Sequence, residues 1–203
     1  MIVIIDYGLG NIRSIFAKID QMNEPVTISS DIEVIENADK IILPGVGAFD
    51  SGMENIRNLG IREILDKKVT IDKIPILGIC LGMQLLTQKS EEGMLPGLGY
   101  VDAVTKKFWF GATTSLNLPH MGWNTITFKG DSPLLNGITD NSRYYFVHSY
   151  HVVCDHPENV MASTRYGYDF PSIIRKDNIF GVQFHPEKSH KQGIRLIKNF
   201  VKI

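Results

Sequence analysis

Cysteine is scarce in this chain: only Cys80 and Cys154 occur among 203 residues. That excludes a disulfide framework, and neither residue has zinc-ligand spacing to a partner, so each must be judged on its own chemistry. No charge of one sign dominates. The 21 basic and 22 acidic residues are mixed along the chain and leave a net charge of -1, which excludes an electrostatic footprint for nucleic acid or an anionic membrane. Long hydrophobic runs are missing too; stretches such as residues 41–43 and 75–80 fall far short of the ~20 residues a bilayer crossing needs. Met1-Ile2-Val3-Ile4-Ile5-Asp6 has no basic region and no cleavage site, so it reads as structure rather than a secretion signal, and the cytoplasm is the expected location. Repeats, low-complexity tracts and linkers are absent. What is present is 43% hydrophobic content, enough at this length for one sizeable core, and a single domain over residues 1–203 is expected.

Residues 2–5 form a short β-branched apolar run, ended by Asp6 and a glycine-rich turn, and read as a strand buried on both faces. Over residues 11–22, Ile12, Ile15, Phe16 and Ile19 recur at helical offsets and form one apolar stripe. The alternation repeats with a strand at 40–43 and a helix over 53–65, where Ile56, Leu59 or Gly60, and Ile64 point inward. It repeats again with a strand at 76–79 and helical spacing from Cys80. Such βα units predict a parallel, doubly wound sheet. Later runs at 100–110, 125–128, 144–147 and 160–164 are broken by Gly, Asn and Asp and read as antiparallel strands. A strand at 179–184 and a helix over 193–201 follow. The fold class expected is α/β: an open, mostly parallel central sheet flanked by helices, with additional antiparallel strands in the second half.

The chemistry concentrates at Cys80. A strand ending in Gly78-Ile79, then Cys80, then Leu81-Gly82 has the shape of a nucleophile elbow, with small flanks that permit a strained strand-to-helix turn. The following helix would aim its N-terminus at the sulfur, a setting for a reactive thiolate. Read without context, Cys80 is a small buried hydrophobe, and Cys154 stays in that class. A thiol nucleophile needs a base. Phe184-His185-Pro186-Glu187 supplies an imidazole after a buried strand, with a carboxylate two residues on to hold it. Pro44-Gly45-Val46-Gly47, at the end of another strand, is the kind of turn whose backbone amides bind a tetrahedral oxyanion; otherwise it is an ordinary βα turn.

Gly78-Ile79-Cys80-Leu81-Gly82-Met83-Gln84, together with Phe184-His185-Pro186-Glu187, resembles the class I, triad-type glutamine amidotransferases. Four further segments look like the glutaminase subunits of imidazole glycerol phosphate synthases: Asp6-Tyr7-Gly8-Leu9-Gly10-Asn11, the turn at 43–49, Pro119-His120-Met121-Gly122-Trp123-Asn124, and Tyr145-Phe146-Val147-His148-Ser149-Tyr150. The resemblance spans the chain and implies a flavodoxin-like sheet. It implies a Cys80, His185, Glu187 triad that hydrolyses L-glutamine, with no metal and no organic cofactor. The oxyanion amides fall on Val46, Gly47 and Leu81, and glutamine binding falls on Gly45, Gln84, His148, Ser149 and Tyr150. The implied partner is a (β/α)8 barrel synthase (cyclase) subunit in a heterodimer. It receives the ammonia and makes imidazole glycerol phosphate and AICAR in histidine biosynthesis. Asn11, Met121, Trp123 and Lys188 would face it. Without the family, Trp123 and Met121 read equally as core and Asn11 as a helix cap.

Two departures bear on the acceptor: His151 stands where many histidine-pathway members have Tyr or Arg, and Phe108-Trp109-Phe110 is unusually aromatic. The alternative is an ammonia-supplying subunit for a nucleotide-sugar amidotransferase in surface-polysaccharide biosynthesis. From other classes, a pseudoenzyme is opposed by the complete triad. A cysteine hydrolase of the α/β-hydrolase type is opposed by Glu187 following His185, since that fold places the acid before the histidine.

Overall fold

The computed structural model describes residues 1–111 and 116–203. The first half runs β1 (Ile2–Ile5), α1 (Ile12–Asp20), β2 (Val26–Ser29), α2 (Ile32–Glu36), β3 (Lys40–Gly45), α3 (Phe49–Asn58), α4 (Arg62–Asp66), β4 (Ile76–Cys80) and α5 (Leu81–Leu85). The second half adds β5 (Lys89–Ser90), β6 (Ala103–Lys107), β7 (His120–Thr125), β8 (Thr127–Phe128), β9 (Arg143–His148) and β10 (Tyr150–Cys154). It ends with β11 (Val160–Tyr166), β12 (Tyr168–Lys176), β13 (Ile179–Val182) and α6 (His190–Val201).

Alternation within the apolar runs decides the layering. Ile2, Ile4 and Ile42 enter one hydrophobic cluster with Ile15 and Ile19 of α1 and Leu196, Ile197 and Phe200 of α6. Their neighbours Val3, Ile5, Ile41 and Leu43 enter a second cluster with Ile56 of α3, Leu65 of α4 and Leu85 of α5. Because successive strand side chains point to opposite faces, a continuous apolar run is a strand covered by helices on both sides. The strands form an eight-stranded sheet in the order β2-β1-β3-β4-β13-β12-β11-β8. From β2 to β13 the neighbours are parallel, and from β13 to β8 antiparallel. The fold class is therefore the one expected. A separate sheet joins β10, β6 and β5, and β7 pairs antiparallel with β9.

Several elements differ from expectation for identifiable reasons. The helix anticipated over 53–65 is two helices, because the chain turns at Gly60 with a φ of 68°. The strand expected over 100–110 covers only Ala103–Lys107, and the helix after Cys80 ends at Leu85. β2 was not anticipated. It lies at the sheet edge and is only half-buried throughout, so its sequence carries no apolar run. α2 begins on an Asp31 cap, whose Oδ1 accepts from the backbone N–H of Glu33 and Val34, a contribution of about 1 kcal/mol. β12 was also missed: a proline argues against a strand, yet Pro171 sits mid-strand opposite Ser163, where β11 is irregular in register.

Candidate active site

β4 ends at Cys80, whose φ of 55° and ψ of -111° are costly for a residue with a Cβ, on the order of 1–3 kcal/mol. The surroundings enforce this turn. A Cβ on Gly82 would lie 1.7 Å from the Leu43 carbonyl oxygen, and one on Gly78 would lie 2.7 Å from the backbone of Gly82 and Met83. Only glycine lets α5 turn back so tightly over the ends of β3 and β4. The elbow anticipated at Cys80 is thus present in its geometry.

Parallel pairing brings the other groups to the same edge. Gly45 is in register with Cys80, so the Val46-Gly47 turn leaves β3 beside the sulfur. Val182 is in register with Ile79, so His185 follows just beyond the same edge, where open α/β sheets place their ligands. His185 Nδ1 lies 3.0 Å from Glu187 Oε1, and the two side chains are 2% and 1% exposed. His185 is fixed through its backbone as well: its N–H donates to Tyr145 O at 2.9 Å, and Ser189 Oγ donates to its carbonyl at 2.6 Å. Nε2 is buried and makes no hydrogen bond among the described residues, while Cys80 acts on the ring electrostatically.

Burial works to lower the His185 pKa, but its interactions with Cys80 and Glu187 outweigh that and raise it from the ordinary 6.5 to about 10. The shift favours the charged ring, which Glu187 holds through Nδ1. Because the folded value lies above the unfolded one, this pairing stabilises the fold fully below about pH 6.5 and loses that effect as pH climbs through about 10. The carbon-bound imidazole resonances of His185 are expected to titrate near pH 10 by NMR; a midpoint near 6.5 would contradict the pairing.

Cys80 opens into a cavity of about 220 Å³. That is below the ~300–1,000 Å³ of drug-sized ligand sites and suits an amino-acid-sized molecule. Of the residues anticipated for binding or oxyanion contact, Val46, Gly47, Leu81, Gln84, His148, Ser149 and Tyr150 line it. Gly45 lies outside the lining. It is buried in β3, where a Cβ would come within 2.4 Å of the Tyr7 hydroxyl and 2.8 Å of Leu81. Among the described residues, no group of three or more His, Cys, Asp and Glu side chains could hold a metal ion, and no helix is long and apolar enough to cross a membrane.

The profile of the family Glutamine amidotransferase class-I matches residues 3–203. The chain belongs to the class I glutamine amidotransferases. Imidazole glycerol phosphate synthase subunit HisH 2 of Methanococcus maripaludis is 52% identical over 100% of this chain and 99% of its own length. Subunit HisH 1 of the same organism is 46% identical over 100% of both chains. A solved structure described as a glutamine amidotransferase superposes with a TM-score of 0.73 at 21% identity, covering 98% of this chain and 97% of the other, which shows the shared fold.

Within the amidotransferase, sequence reasoning missed two polar residues at the site. Glu92 lines the cavity and accepts the backbone N–H of Phe49 at 2.9 Å; burial raises its pKa above the ordinary carboxylate value. No local pattern distinguishes Glu92 from the neighbouring Glu91. Gln183 is fully buried and donates from Nε2 to the Cys80 sulfur at 3.8 Å. Its signal was a polar side chain inside an otherwise apolar run.

The remaining named residues lie around the triad. Asn11 makes no side-chain cap to α1. Its Oδ1 instead accepts from Ser14, and its Nδ2 donates to Glu187 Oε1 at 3.5 Å, which ties α1 to the triad. Met121 and Trp123 are 61% and 39% exposed on the outer face of β7, so the core reading does not hold for them. Trp123 stacks parallel on His190 with centroids 5.0 Å apart, and the Lys188 ammonium lies 5.8 Å from the Tyr145 ring centre. On the inner face, His120 Nδ1 meets His148 Nε2 at 2.9 Å, and His148 Nδ1 meets Tyr150 O at 2.8 Å. A carbonyl only accepts, so both rings carry the proton on Nδ1. Burial pushes the His120 pKa down to about 4 and that of His148 well below its usual value, so both histidines are neutral structural groups.

Proposed function

We propose that this amidotransferase is the glutaminase subunit of an imidazole glycerol phosphate synthase, hydrolysing L-glutamine and passing the ammonia to its partner. The observation that carries the reading is Cys80 at a strained elbow, opening into a cavity walled by a glycine turn and one carboxylate, with the buried His185–Glu187 pair following β13 at the same sheet edge. The Cys80 thiolate adds to the carboxamide carbon, and the carbonyl electrons move onto oxygen, where the amides of Val46, Gly47 and Leu81 receive the charge. Collapse breaks the C–N bond as His185 delivers its Nε2 proton to the departing ammonia, leaving a glutamyl thioester. The now neutral His185 takes a proton from water, which cleaves the thioester to glutamate and restores the thiolate and the imidazolium. Glu187 orients the ring throughout and transfers no proton. Gln84 and the backbone at His148, Ser149 and Tyr150 hold the substrate, Gly45 supports the turn, and Glu92 offers a counter-charge for its α-ammonium.

The partner in this reading is a (β/α)8 barrel synthase subunit, joined in a cytoplasmic heterodimer and producing imidazole glycerol phosphate and AICAR, with residues 1–203 acting as one amidotransferase domain. The full-length likeness to subunits of that name supports it. So does the outer face of β7, where Met121 and Trp123 are exposed and Trp123 and Lys188 both approach the Tyr145 ring, since exposed Met and aromatic side chains favour a partner surface. One observation favours a second reading, ammonia supply to a nucleotide-sugar amidotransferase: the chain is more similar to the second-numbered Methanococcus subunit than to the first. A duplicated subunit is free to serve another acceptor.

The deciding experiment is glutamate release by the purified chain, alone and with a cognate barrel synthase carrying its ribonucleotide ligand. Weak activity alone is expected, rising at least about tenfold in the loaded complex. The Val46-Gly47 peptide is the element to reorient, since Gly47 already has a φ of 119°. Activation only by a nucleotide-sugar amidotransferase would select the second reading, and no hydrolysis with either partner would overturn both.

A further inference from the structure

Gln183 belongs to none of the roles assigned above, yet its placement is specific. The parallel register of β13 on β4 runs Ile179 on Ile76 through Val182 on Ile79, so the next residue along arrives beside Cys80. Its backbone N–H is satisfied by Ser172 O at 3.0 Å, which leaves the carboxamide to be accounted for separately. A fully buried amide needs partners at both ends.

The hydrogen bonds leave it one orientation. Gln84 Nε2 donates to Tyr150 O at 3.0 Å and to Gln183 Oε1 at 3.2 Å, which uses both of its N–H groups. Tyr150 O is a pure acceptor, so the nitrogen of Gln84 must face it. Gln183 therefore presents its oxygen to Gln84, and its Nε2 points the other way, to the Cys80 sulfur at 3.8 Å. Tyr150 O is held in turn by the His148 ring, which His120 fixes from behind. The donor at the sulfur is thus the end of a chain of hydrogen bonds anchored in two neutral histidines.

We infer that Gln183 is a positioning residue for the nucleophile: its carboxamide, locked by Gln84, donates an N–H to the Cys80 sulfur and holds the thiolate for attack. His185 must give its proton away during turnover. The amide keeps its own, so the sulfur retains one fixed donor while the imidazole cycles. The inference deepens the proposed function and rests on Cys80 being the nucleophile.

Two variants separate this role from packing. Gln183→Glu keeps an acceptor for Gln84 and deletes the donor to sulfur, whereas Gln183→Met deletes both. In the folded full-length chain, alkylation of Cys80 by iodoacetamide at neutral pH, which forms an S–C bond as iodide leaves, is expected to slow about tenfold or more in both. The kcat for glutamate release should fall in step, with KM within about threefold of the parent. Alkylation within about twofold of the parent in folded variants, or a loss confined to KM, would overturn the inference. Should neither variant fold, the unmodified chain still decides: the side-chain amide resonance of Gln183 must shift when Cys80 is alkylated, and an unmoved resonance refutes the contact. A parent whose Cys80 is alkylated but which releases no glutamate with either partner would defeat the glutaminase reading only, while the alkylation ratios would still judge Gln183.

Discussion

Cys80→Ala is expected to cut glutamate release by roughly 10⁴-fold or more while leaving affinity for the partner subunit unchanged. No other thiol can substitute, since Cys154 is remote from the cavity lining and burial pushes its pKa up to about 12. Alanine also has a Cβ, so the elbow carries the same backbone cost. The substitution has a second signature at His185. Of the influences raising its pKa, Cys80 comes first, so its removal leaves burial opposed by Glu187 alone, and the value must fall from about 10. Glutamate release, a partner-binding titration and the His185 resonances together test this, and turnover surviving the substitution would end the triad assignment.

Gly82→Ala is expected to be nearly as damaging without touching a reacting group. The added Cβ would lie 1.7 Å from a backbone oxygen of β3, which no side-chain rotation relieves. Either α5 lifts off β3 or the elbow opens. Overpacking of this kind costs about 3 kcal/mol at the upper end of its usual range. A displacement of about 1 Å at the nucleophile lowers the rate by about 100-fold. Denaturant midpoint and kcat should therefore fall together. A variant with parental stability and parental kcat would mean that the elbow does not depend on that close approach.

Much of this was legible in advance because it rests on local pattern. The runs that became β1, β3, β4 and β13 are apolar throughout since helices cover both faces, and Gly78 and Gly82 flank Cys80 because the backbone crowds there. Other parts depend on contacts the sequence does not display. β2 is an edge strand with no apolar signature, and β12 carries a proline that only an irregular register accommodates. Gly60 did carry a visible signal for ending α3, but helical spacing on either side masked it. Glu92 reaches the cavity from a turn after β5 and has no periodicity to announce it. Gln183 was readable as a polar break in an apolar strand, although its purpose required the position of Gln84, far away in sequence.

The pairing of β13 with β4 also limits how this chain can change length over generations. A single residue inserted at the start of β13 would slip the register by one and send each following side chain to the opposite face of the sheet. Gln183 and His185 would both turn away from the sulfur while every hydrophobic residue of the strand lost its place. The segment between β8 and β9 is held differently, by Leu134, Leu135 and Ile138 in the core and by Asn199 Nδ2 donating to the carbonyls of Leu134 and Asn136. The stretch from β13 to Glu187 therefore admits substitution far more readily than insertion or deletion.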